Sequence, residues 1–100
     1  MIRHIVFFRL AEILPADEKK ELLNTVKRKL EALPALIPEI RFFEIGINST
    51  IDPKAADLSL LSDFDSMESL QTYQEHPAHR DFINWNRGKC PKLSVVDYEY

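Results

Sequence analysis

The sequence predicts an α+β fold of βαββαβ order: a ferredoxin-like, four-stranded antiparallel sheet with its helices on one face, paired with a second copy into a dimeric α+β barrel. Three observations lead there. Four short segments carry strand-like apolar patterning. Two longer segments place apolar residues at helical spacing, one after the first strand and one after the third. The first strand is apolar on both of its faces, although helices can cover only one of them.

Residues 2–10 read as the first strand. Even positions give Ile2, His4, Val6, Phe8 and Leu10, and odd positions give Arg3, Ile5, Phe7 and Arg9. Side chains alternate faces along a strand, so one face is apolar apart from His4 and the other is apolar in its middle. Residues 15–33 read as a helix. Pro15 suits its first position, and Asp17 and Glu18 suit the positive end of its dipole. Leu22, Leu23, Val26, Leu30 and Leu33 share one face, and Lys20, Asn24, Lys27, Arg28 and Glu31 fall largely on the other. Pro34 and Pro38 end the helix and shape the loop that follows.

Residues 39–48 form the second strand, rich in Ile and Phe. The loop from Asn48 to Ala56 turns at Asp52-Pro53. Residues 57–64 form the third strand, with Leu58, Leu60 and Phe64 on one face and Ser62 among them. Asp65-Ser66-Met67-Glu68 resembles a capping box that starts a second helical region, with Met67, Leu70 and Tyr73 on its apolar side. Pro77 interrupts that region and opens a new segment, in which Ala78, Phe82, Ile83 and Trp85 pack. Gly88 is a natural stop. Residues 93–100 form the last strand. An apolar sheet face left open by the helices is unfavourable in water, and a twofold pairing of two sheets hides it.

Composition narrows the function. The chain has 100 residues, enough for one domain over 1–100, and 45% of them are hydrophobic, a generous supply for a small monomer. The net charge of −3 lacks the basic footprint of a nucleic-acid binder. Lys19, Lys20, Lys27, Arg28 and Lys29 alternate with Glu18, Glu21 and Glu31, the pattern of a solvated helix face. The single cysteine, Cys90, permits no internal disulfide and fits a cytoplasmic location; before Pro91 it reads as a small, half-buried residue. No stretch approaches a membrane span, and the N-terminus has no secretory pattern, so the Asn48-Ser49-Thr50 sequon carries no weight. No nucleic-acid or membrane partner is expected.

Four segments carry a family resemblance: His4-Ile5-Val6-Phe7-Phe8-Arg9-Leu10, Asp57-Leu58-Ser59-Leu60 running into Phe64, Tyr73-Gln74-Glu75-His76-Pro77-Ala78-His79 with Phe82, and Val96-Asp97-Tyr98. Together they resemble the stress-responsive A/B barrel domain (Dabb) family over nearly the whole chain, the Tyr-x-x-His-Pro-x-His segment most specifically. The resemblance implies a homodimeric barrel joined through the sheet face, and no single activity. One plant branch of the family contains polyketide cyclases, in which a Tyr and a His act as an acid–base pair inside a pocket between sheet and helices. By motif position Tyr73 and His79 match that pair. His4 matches a pocket histidine, with Val6 and Phe8 beside it on the same strand. Leu22, Leu23, Val26, Leu60 and Phe82 fall where pocket-lining residues are expected. Leu58 stands where that branch carries a polar ring, so the pocket is more apolar here.

The residues themselves support proton chemistry. A neutral imidazole exchanges protons near pH 7, and a phenol donates a hydrogen bond to a carbonyl oxygen as it gains charge. Tyr73 and His79 converge if the chain bends at His76-Pro77. The structural alternatives are equally concrete: His76 caps a helix, His79 bonds a backbone carbonyl to fix the bend, and His4 is a satisfied core residue. No three-ligand metal pattern is present, and His76 and His79 at i, i+3 across a proline are a weak match. Gly46 and Gly88 alone make no phosphate loop, and no nucleophile elbow is present. No cofactor or metal is expected. Three functions follow: a pocket for a small apolar or aromatic carbonyl compound with cyclase- or lyase-like chemistry, a non-enzymatic stress-response or interaction dimer, and, fitting less well, a cofactor-free monooxygenase.

Overall fold

The computed structural model describes residues Met1–Tyr100. The chain runs β1 (Ile2–Phe8), α1 (Ala16–Glu31), a 3-10 turn (Leu33–Ala35), β2 (Phe42–Ile47), β3 (Leu58–Phe64), α2 (Met67–Glu75), α3 (Pro77–Asn86) and β4 (Lys92–Glu99). The strands form one sheet in the order β2-β3-β1-β4, antiparallel throughout. This is the ferredoxin-like arrangement that the patterning predicts.

Register decides which side chains meet. Ile5 lies opposite Leu61 on one side and Val96 on the other, and His4 lies between Ser62 and Asp97. Directly paired residues share a face. The helix-covered face therefore carries Ile2, His4, Val6 and Phe8 beside Leu58, Leu60, Ser62 and Phe64, all of them buried. Leu23, Val26 and Leu30 of α1, Leu70 and Tyr73 of α2, and Phe82 of α3 close over them in one apolar cluster. Removing such side chains from water stabilises the fold by roughly 1.5–3 kcal/mol each.

Several boundaries differ from the sequence reading. β1 stops at Phe8 instead of residue 10, because the Leu10 N–H is taken by the Asp57 carboxylate at 2.8 Å. Helix α1 begins at Ala16, with Pro15 in the extended cap position, and ends at Glu31. Pro34 cannot continue it, and Leu33 moves into the 3-10 turn while staying buried. β2 begins at Phe42 instead of residue 39, because residues before it close a tight turn in which the Ile40 N–H bonds the Ile37 carbonyl. β3 begins at Leu58 rather than 57, and β4 spans Lys92–Glu99 rather than 93–100. Met67 is exposed at the first turn of α2 and does not share the apolar side of Leu70 and Tyr73.

The opposite sheet face has no helix over it. Phe7, Phe42, Val96 and Tyr98 are exposed there. Arg3 and Asp63 form a two-pronged ion pair on this face at 2.8 and 3.0 Å. The guanidinium holds the Asp63 carboxyl below the usual carboxylate range. β4 is exposed along its whole length, since α1 packs toward β2, α2 over β1 and β3, and α3 against the other two helices.

Candidate functional site

His4, Tyr73 and His79 come together. His4 arrives on the central strand β1, the other two on α2 and α3. The bend that joins them is built by one residue: His76 ends α2 and starts α3 in an extended conformation, and its Nδ1 accepts the Ala78 N–H at 3.0 Å. A residue before proline is pushed out of the helical region, so His76-Pro77 turns the chain without leaving the cap unsatisfied. His79 then points back over α2. Its Nδ1–H donates to the Gln74 carbonyl at 2.9 Å.

Tyr73 lies between the two imidazoles. Its ring centroid is 4.6 Å from that of His79 and 6.3 Å from that of His4. Phe64 at 5.0 Å and Phe43 at 6.1 Å complete an aromatic surround. Both imidazoles are anchored on one nitrogen. The carbonyl of Gln74 only accepts, so His79 carries its proton on Nδ1 and its Nε2 is an acceptor. His4 Nδ1 is bonded to the Asp97 carboxylate, and its backbone carbonyl accepts the Ser62 hydroxyl at 3.1 Å.

The remaining tips have no protein partner: His4 Nε2, Tyr73 Oη and His79 Nε2 bond to nothing in the fold. Yet no fully enclosed side-chain polar atom in the protein lacks a partner. Each of the three tips therefore keeps a small solvent exposure, although the residues that carry them are buried. Burial raises the Tyr73 pKa well above its ordinary value, which keeps the phenol protonated. Burial lowers the His79 pKa, and the nearby positive charge of Lys92 acts in the same direction, so the imidazole is neutral at pH 7.

Of the other site residues expected from the sequence, Val6, Phe8, Leu23, Val26, Leu60 and Phe82 belong to the packed core, and Leu22 packs half-buried against it. None of the five principal surface grooves is lined by His4, Tyr73 or His79. Phe8 instead reaches a groove of about 410 Å³ at the far end of α3. Asp97, quoted from the sequence only as part of the Val96-Asp97-Tyr98 segment and given no site role there, is the partner of His4. Its signal lies in the antiparallel β1–β4 pairing, which sets residue 97 opposite residue 4. Cys90 is fully buried beside Asn86, and its thiol is pushed up to about 11, the state of an unreactive structural cysteine.

Fold and cluster together define a ferredoxin-like α+β protein with a Tyr–His centre between its sheet and its last two helices. The chain belongs to the stress-responsive A/B barrel domain (Dabb) family, whose model matches residues 2–100. An uncharacterised protein of Streptomyces coelicolor is 33% identical over 107 aligned residues, which cover 100% of both chains. A dimeric protein of unknown function and ferredoxin-like fold from Bacteroides fragilis is 35% identical, with a TM-score of 0.81 over 99% of this chain and 95% of that one. The hydroxynitrile lyase of Passiflora edulis is 20% identical, with a TM-score of 0.78 over 97% of this chain and 90% of that one; at that identity the likeness is one of fold.

Proposed function

We propose that the protein is a homodimeric barrel whose protomers each bind a small carbonyl compound at the His4–Tyr73–His79 cluster and move a proton on it without a cofactor. The observation that carries this reading is the set of three unpartnered polar tips, two imidazole nitrogens beside one buried phenol, with both imidazoles held from behind by a hydrogen bond. Tyr73 is a protonated donor suited to a carbonyl oxygen. His79 Nε2 is a neutral acceptor suited to the proton on the neighbouring carbon or hydroxyl. When the base takes that proton, charge develops on the oxygen that Tyr73 faces, and the phenol stabilises it. The proton then returns from the imidazolium to product. His4, oriented by Asp97, supplies a second nitrogen to the same space. Ring closure, isomerisation and lyase reactions all use this step. The dimer is supported by the exposed apolar side chains of the open sheet face and by the dimeric relative from Bacteroides fragilis.

The test is deuterium incorporation next to the carbonyl in a panel of aliphatic and aromatic ketones, followed by proton NMR. The wild type should accelerate exchange of at least one compound, and Tyr73→Phe and His79→Gln should each lower that rate on the order of 10²-fold or more. Identical rates in all three proteins would replace this reading with that of an interaction dimer. The core side chains packed around the cluster favour that second reading.

A further inference from the structure

The groove of about 410 Å³ lies where the end of α3 meets the beginning of β4 and the end of β1. Phe8 and Ile83 form its apolar floor. Arg87 and Lys92 stand on its rim, and no acidic side chain lines it. Both cations are exposed and neither belongs to an ion pair. The only side-chain bond of Arg87 is a long one of 3.4 Å to Asn84, and the Lys92 ammonium has none. Two unpaired cations over an apolar floor are complementary to an amphipathic anion.

The groove lies at the C-terminal end of the helix that carries His79. Ile83 is one helical turn beyond His79 on α3, and Asn86, which also lines the groove, is a further turn on; seven residues of helix span roughly 10 Å. On β1, Phe8 and His4 share a face about 13 Å apart. The charge of Lys92 already reaches the His79 ring. The C-terminal end of a helix carries about half a negative charge, which opposes an anion. Here the Trp85 carbonyl is taken by Lys89 Nζ at 2.6 Å and the Asn86 carbonyl by the Lys89 N–H at 2.9 Å, so the two full positive charges on the rim prevail.

We propose that Arg87 and Lys92 form an anion subsite, and that the protein takes carbonyl compounds with a carboxylate at the end of an apolar chain, the carboxylate on these two residues and the carbonyl at Tyr73. This rests on the function proposed above and adds the substrate class.

The probes are 8-oxononanoate and its methyl ester, in which six methylenes separate the carboxyl group from the ketone. Each is titrated into the full-length protein by amide NMR, and deuterium exchange beside the ketone is followed in parallel. The acid should bind about tenfold tighter than the ester at low salt, with a preference that fades in 0.5 M NaCl. The double variant Arg87→Gln, Lys92→Gln, altered only at exposed positions, should lose the preference and bind the ester as the wild type does. Equal binding of acid and ester to the wild type, or a preference surviving in the double variant, overturns the anion subsite. If His79-dependent exchange persists in either case, the proton-transfer function stands without it. Acid preference with exchange indifferent to His79→Gln keeps the subsite and removes the proton transfer. Binding of neither probe overturns the proposed substrate class.

Discussion

Tyr73 and His79 face each other with ring centroids 4.6 Å apart, although they belong to different helices. A continuous helix would set residues six apart on divergent faces, since each residue turns about 100°. The break at His76-Pro77 removes that constraint. Side-chain chemistry and backbone bend are therefore one device, and each part can be removed separately.

Removing the phenol oxygen tests whether Tyr73 is there for packing or for chemistry. Its hydroxyl bonds to no protein group, so Tyr73→Phe should leave stability within about 0.5 kcal/mol of wild type in urea unfolding, because no hydrogen bond is broken. Tyr73→Ala should cost about 3–5 kcal/mol, because the ring is almost wholly buried among Phe64, Phe43 and His79. A large loss in Tyr73→Phe would mean that the hydroxyl has a structural partner.

The cap can be removed without touching either ring. His76→Ala deletes the acceptor of the Ala78 N–H and should destabilise the protein by about 1 kcal/mol, which lowers Tm by several degrees in a chain of this size. Pro77 keeps the backbone extended at residue 76, so the bend survives. Circular dichroism should therefore show unchanged helix content below the transition.

His79 links stability to pH with a definite sign. Burial lowers its folded-state pKa below the ordinary 6.5. The unfolded chain thus takes up a proton first as pH falls. The stabilising contribution is complete above about pH 6.5 and is lost progressively on acidification, levelling off below the folded-state pKa. The His79 ring signals should titrate below 6.5 in NMR, and His79→Gln should flatten the stability slope between roughly pH 6.5 and 5. Asp63, whose pKa is also depressed, adds a separate loss at lower pH as it is protonated.

The open sheet face predicts its own mutant. Phe7 stands exposed beside Ser59 and Ser94, with Ile5, Leu61 and Val96 next to it on the same face. In a twofold dimer Phe7→Glu places a carboxylate in the interface twice. A buried unpaired charge costs several kcal/mol, so if the proposed homodimer forms through this face, sedimentation should show a dimer for the wild type and a monomer for the variant. The helices pack on the other face, so the far-ultraviolet spectrum should not change.

Most of the fold is visible in the sequence, because alternation in 2–8 and helical spacing in 16–31 are local signals. The capping roles of Ser66 and His76 are also local and were readable. What depends on pairing was not. The contacts His4–Asp97 and Arg3–Asp63 arise between residues distant in the chain, and only the sheet register fixes them. Periodicity also cannot separate a core face from a pocket wall. Val6, Leu23, Val26 and Leu60 satisfy both descriptions, and the structure places them in the packed cluster.

β4 is held by a ladder on one edge alone, and every one of its residues is exposed. The strand that orients His4 through Asp97 is thus the least protected segment of the sheet. Amide protons of 92–99 should exchange with solvent through brief local openings that leave β1 and β3 paired. Each opening frees the His4 ring to swing. Whatever settles on β4 and keeps it zipped, a second subunit or a ligand, also keeps the His4–Asp97 contact closed, so in the function proposed above the readiness of the cluster is set by how firmly the outermost strand is clasped.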